Sequence, residues 1–69
     1  MSNKYREPTA QDIEAVVEVS DDGEKWIAQR LVEIDDTDKE GRFIVIPLGW
    51  NIWDYGVPLL AYDTARIKI

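Results

Sequence analysis

The sequence predicts an all-β domain: a small, strongly bent antiparallel sheet, or an SH3-like barrel, of about five strands with one short N-terminal helical turn. Three observations predict it. Short runs rich in Val, Ile and Trp recur along the chain, clusters of Gly, Pro and Asp separate them, and helical periodicity never lasts beyond a turn or two. Short strands joined by tight turns suit a curled sheet or small barrel, with an open sheet carrying one helix as the runner-up. The 69 residues make a single domain spanning 1–69. At this size folding buries only about 60% of the unfolded chain's surface, so the core is thin.

Each element has a local chemical cause. Pro8-Thr9-Ala10-Gln11-Asp12 is a helix start, in which Thr9 caps and Asp12 answers as the acid of a capping box. Residues 1–8 are expected to be loose. Ala15-Val16-Val17-Glu18-Val19 is β-branched with a period near two and reads as a strand. Asp21-Asp22-Gly23 ends it, since Gly23 can take the left-handed conformation of a tight, bulged hairpin.

A second strand is expected over residues 26–34. Its alternation sets Trp26, Ala28, Val32 and Ile34 on one side, with Arg30 breaking the set, and Ile27, Gln29, Leu31 and Glu33 on the other. Trp26, beside a tight turn, is assigned to the core. Ile27 and Leu31 then fall on the outer face, which calls for a covering loop, a bulge or a partner.

Residues 35–41 form a polar connection. Arg42-Phe43-Ile44-Val45-Ile46 is an unbroken apolar strand that Pro47 stops. From 48 to 58 the pattern dissolves around Gly49, Gly56 and Pro58. A short strand is expected at 60–62, then a turn at Asp63-Thr64. Ala65-Arg66-Ile67-Lys68-Ile69 alternates cleanly and can close the sheet against an earlier strand.

Composition narrows the chemistry. The chain has no cysteine and no histidine, which excludes disulfides and argues against zinc. Stability must come from burial, and 45% apolar residues allow it; so thin a core is also compatible with a homo-oligomer. No apolar run approaches the ~20 residues of a membrane span. The N-terminal basic residues precede no apolar stretch of the signal-peptide kind. The expected location is the cytoplasm, or the host cytoplasm if the chain is phage-encoded.

The charge is uneven. Residues 7–40 hold twelve of the fourteen acids and three basic residues, against a net −6 for the whole chain. Nucleic-acid binding draws on cations set against phosphates, so this balance argues against it. The acidic region serves solubility or docks on a protein with a basic surface.

Two segments are candidates for binding. Asp36, Asp38, Glu40 and Gly41 fall at positions one, three, five and six of an EF-hand-type loop, but the twelfth position is Pro47 and strands flank it, so no metal is expected. Gly49-Trp50-Asn51-Ile52-Trp53-Asp54-Tyr55-Gly56 places three aromatics within six residues. Trp and Tyr are enriched at binding hot spots. The competing explanation is that these rings plug the end of a small barrel. Without His, Cys or a glycine-rich phosphate loop, no catalytic constellation and no cofactor site can be assembled.

Tyr5-Arg6-Glu7-Pro8-Thr9, Asp12-Ile13, Val17-Glu18-Val19-Ser20-Asp21-Asp22-Gly23 with Trp26, then Arg42-Phe43-Ile44-Val45 and Ala65-Arg66-Ile67-Lys68, together resemble small accessory proteins of bacteriophages and prophages. The resemblance implies a phage or prophage origin and a small β fold. It carries over no site residues, and residues 47–63 depart from it.

These features point to a non-catalytic protein-interaction module with Trp50, Trp53, Tyr55, Asp35, Asp36 and Asp38 as partner-binding residues. One alternative is an oligomer that sequesters a small molecule, using Ile27, Leu31 and the aromatics. Another is a nucleic-acid-binding barrel, which requires Arg42, Arg66 and Lys68 to form a basic face.

Overall fold

The computed structural model describes residues 4–37 and 41–69. Among them one six-stranded antiparallel sheet is built from β1 (Tyr5–Arg6), β2 (Val16–Ser20), β3 (Ile27–Ile34), β4 (Phe43–Pro47), β5 (Leu60–Tyr62) and β6 (Thr64–Lys68). A single 3-10 turn, Ala10–Asp12, lies between β1 and β2. The strand order is β1-β6-β2-β3-β4-β5, so the sheet has two free edges and is not closed into a barrel. Among the described residues no helix is long and apolar enough to cross a membrane.

The all-β expectation holds, with one strand more than the five counted. The extra strand is β1, at a start of the chain expected to be loose. Tyr5 pairs with Lys68 and Arg6 with Ile67, and the Ile69 N–H donates to the Lys4 carbonyl at 3.0 Å. Side chains then fasten β1 to the 3-10 turn. The Arg6 guanidinium grips both Asp12 oxygens at 2.8 and 2.9 Å. The capping box forms as the sequence predicts: Thr9 N–H donates to Asp12 Oδ2 at 2.7 Å, and Gln11 N–H to Thr9 Oγ1 at 3.3 Å.

Arg6 first, then the Thr9 N–H, holds the buried Asp12 carboxyl far below its ordinary range. Because the folded pKa is depressed, the unfolded chain takes up the proton first as pH falls. Stabilisation from Asp12 is whole above about pH 5 and is lost progressively as pH drops through ~4 and below. Asp12→Asn should therefore flatten the acid limb of the urea midpoint plotted against pH. Asp22 and Asp35, also depressed by local hydrogen bonds, preserve part of the slope. A limb as steep as that of the parent chain would contradict the assignment.

One face of the sheet makes the core. Val17, Val19, Leu31, Phe43, Val45 and Ala65 form one buried cluster, with Ile34, Leu60, Tyr62 and Ile67 packed against it. The register explains why these residues meet: Val19 lies opposite Ala65, Leu31 opposite Val45, and Phe43 between Ile34 and Tyr62. Curl turns that face into an interior. Glu7, just after β1, forms an ion pair with Arg42, just before β4, although three strands separate β1 from β4 in the sheet.

The facing of β3 departs from the sequence reading. Gln29 and Leu31 point inward and are buried, while Ala28 is exposed. Trp26, expected in the core, is half-buried outside the core cluster. Farther along the strand, Ile34 still reaches the core face, because of a β-bulge. Pairing with β4 shifts between Leu31 and Glu33, so an extra residue around Val32 brings Ile34 back to the face that Leu31 occupies. Strict alternation cannot place Leu31 and Ile34 together; the bulge does.

A second constraint sits beside β5. The Gly41 N–H donates to an Asp63 carboxylate oxygen, tying the β3–β4 connection to the β5–β6 corner. Gly41 has φ +68°, and a Cβ there would lie 2.9 Å from the Cβ of Ala61. Gly41→Ala should cost about 1–3 kcal/mol, from left-handed strain plus the clash. Gly23, at φ +79°, has no atom within 4 Å of such a Cβ, so Gly23→Ala carries only the strain. Urea midpoints for the two variants check this; an equal loss would show that the contact with Ala61 is relieved without cost.

Candidate interaction surface

The aromatic segment is placed by the end of β4. Phe43 and Val45 face the core cluster, and Ile46 points the other way, opposite Arg30, which in turn lies opposite Val16. Ile46 is nevertheless fully buried. The chain beyond Pro47 folds back beside it, and Ile46 shares a cleft of about 410 Å³ with Ile52, Trp53, Ile13, Val32 and Arg30. Burial on both faces accounts for the unbroken apolar run in β4.

Backbone turns hold this loop in shape. Trp50 N–H donates to the Pro47 carbonyl at 3.3 Å, and Val57 N–H to the Asp54 carbonyl at 3.3 Å. Asp54 and Asn51 clasp each other: Asn51 N–H donates to Asp54 Oδ2 at 2.8 Å, and Asp54 N–H to the Asn51 carbonyl at 3.0 Å. With the backbone occupied in turns, the large side chains project outward. Trp53 is 90% exposed, Tyr55 is fully exposed, and Trp50 is 38% exposed. Leu48 and Leu59 are about half exposed on the same segment. These rings do not plug the interior, which the aliphatic cluster and Phe43 fill instead.

The acidic residues have different surroundings. The Asp35 carboxylate accepts from the Thr37 N–H at 3.0 Å and from the Thr37 hydroxyl, and these bonds hold its pKa down. Its backbone N–H donates to the Arg42 carbonyl at 2.7 Å. Asp35 therefore shapes the turn. Asp36 is exposed and lines a second cleft, of about 550 Å³, with Glu7, Pro8, Glu33, Ile34 and Arg42. Asp38, and Glu40 of the EF-hand-like pattern, lie outside the described residues.

The acidic turn precedes β4 and the aromatic loop comes after it. The five residues of β4 separate them by roughly 17 Å. The sequence-predicted residues therefore occupy two ends of one hairpin. The clefts at those ends adjoin, because Ile13 and Val32 line both. Neither residue stands out as a binding residue in the sequence, since the bulge and the fold-back of the 3-10 turn onto β3 create the groove.

Sequence reasoning also missed a stack on the outer face. The Arg66 guanidinium lies 3.9 Å from the Tyr5 ring centroid and 4.0 Å from that of Trp26, and its Nε donates to Glu18 Oε1 at 3.1 Å. These four residues come from separate parts of the chain, and only the pairing of β1, β6, β2 and β3 joins them. Of the cations a basic face would need, Arg66 is thus matched by Glu18 and Arg42 by Glu7. Leu31, one of the two apolar residues suggesting a small-molecule site, belongs to the core. Among the described residues no group of three or more potential metal ligands occurs. Comparison with known proteins finds no matching family, no matching curated protein and no matching solved structure.

Proposed function

We propose that the chain is a non-catalytic protein-interaction module, an accessory factor of phage or prophage origin that acts by binding a host or phage protein through residues 48–59. The observation that carries this reading is the exposure of Trp53 and Tyr55 on a loop whose backbone is pinned by turns. Each such ring offers about 150–250 Å² of contact area. Rings buried at the centre of an interface typically carry about 2 kcal/mol or more each by truncation. A loop already held by the Asn51–Asp54 clasp loses less entropy on docking than a floppy one. The excess of acids in residues 7–40 supplies steering toward a basic partner.

The test is affinity capture from bacterial lysate with the parent chain and with a Trp53→Ala/Tyr55→Ala variant. Specific proteins held by the parent and lost by the variant are the expected outcome. The same proteins held by both would remove the loop as the contact element.

A further inference from the structure

We infer that the segment bound is a basic, apolar peptide laid in extended form along the groove between the 3-10 turn and β3. This rests on the interaction reading and adds the chemistry of what is recognised. The groove joins the two clefts of about 550 and 410 Å³ through their shared walls, Ile13 and Val32. Its apolar lining includes Pro8 and Ile34 toward the acidic turn and Ile52 toward the aromatic loop, where Trp53 stands and Ile46 lies buried beneath. The ~17 Å between the ends accommodates about five residues of extended chain.

The rim is acidic. Glu7, Glu14, Glu33 and Asp36 line the two clefts against two arginines, Arg30 and Arg42. Both arginines are engaged within the chain, Arg42 by the Glu7 carboxylate and Arg30 by the Glu14 carbonyl at 2.8 Å. Among the described residues the carboxylates of Glu14, Glu33 and Asp36 enter no ion pair. An apolar floor under a carboxylate rim matches Lys and Arg, whose hydrocarbon stems lie on apolar surface while the charged head reaches the rim. An acidic peptide is repelled. A neutral apolar one leaves the carboxylates partly desolvated without compensation. A second copy of this chain, at net −6, brings the wrong sign of charge.

The test is selection of random peptides displayed on phage against the full chain at low ionic strength, followed by anisotropy titration of the selected peptides carrying fluorescein. Selected peptides should combine Lys or Arg with at least one aliphatic or aromatic residue, and their affinity should fall as salt rises. Glu33→Lys/Asp36→Lys, at two exposed positions, should weaken binding about tenfold or more with the thermal melt unchanged. Selection of acidic or uncharged peptides, selection of none, or indifference to the charge-reversed pair would each overturn the inference. The two levels separate cleanly. Loss in Trp53→Ala/Tyr55→Ala but not in the charge-reversed pair leaves the interaction reading standing and removes this one. Indifference to both, in peptide binding and in lysate capture, removes both.

Discussion

Leu31→Ala should leave the chain largely unfolded at room temperature, whereas Ile27→Ala on the same strand should be nearly silent. Leu31 is completely buried opposite Val45 at the centre of the core cluster, and Ile27 is 50% exposed near the strand's start. Truncating a buried leucine typically costs about 2–5 kcal/mol, because the lost transfer energy is joined by the energy of the cavity left behind. A core in a domain this small rarely supplies more than about 3–5 kcal/mol, so one such loss consumes most of it. Urea unfolding followed by circular dichroism measures both variants. The facing read from the sequence, with Val32 inward and Leu31 outward, predicts the reverse, a severe loss at Val32 and a mild one at Leu31. That outcome would contradict the core assignment of Leu31.

The second large effect concerns binding. Trp53→Ala/Tyr55→Ala should abolish capture of the partner while leaving the unfolding free energy from urea titration within the ~0.5 kcal/mol expected of surface substitutions. Central aromatic anchors typically cost about 2 kcal/mol or more each when truncated, a loss of more than tenfold in affinity per ring. Stability is spared because neither ring belongs to the core cluster, and the turns that hold the loop are made by backbone groups and Asp54. Asp54→Ala should act differently. It breaks the clasp on Asn51, releases the loop and weakens binding with both rings still present. Retained capture by the ring-deleted chain at an unchanged midpoint would transfer the contact surface elsewhere.

Local features of the fold were legible where one short segment carries the whole cause. The capping box needs only Thr9 and Asp12, and it forms as read. Strand β4 arises from an apolar, largely β-branched run that ends at Pro47, and β6 from the alternation of residues 65–69, although Thr64, expected in the turn, already belongs to β6 and only Asp63 makes the corner. Features set by pairing between distant segments were not legible. The strand at Tyr5–Arg6 exists because β6 offers an edge to it, and the return of Ile34 to the face of Leu31 depends on a bulge that only pairing with β4 reveals. The same holds for the candidate site. Three aromatics in six residues drew attention to residues 50–55 from composition alone, and they are exposed to differing degrees. Of the acidic residues named with them, Asp36 lines the groove at the far end of the hairpin and Asp38 lies outside the described residues. Asp35 spends its carboxylate on Thr37, and the carboxylates lining the groove include Glu14 and Glu33, brought there by the 3-10 turn and β3.

The proposed binding depends on a large ring held in water by a fixed loop, and Trp53 can report on itself. In a Trp26→Phe/Trp50→Phe chain, Trp53 is the sole indole, and its emission and acrylamide quenching can be compared with those of free tryptophan amide. Emission as red as the free compound's, with quenching nearly as fast, is the expected result. Blue-shifted emission with strongly retarded quenching, in a chain that stays monomeric, would contradict it by placing Trp53 against the protein's own interior.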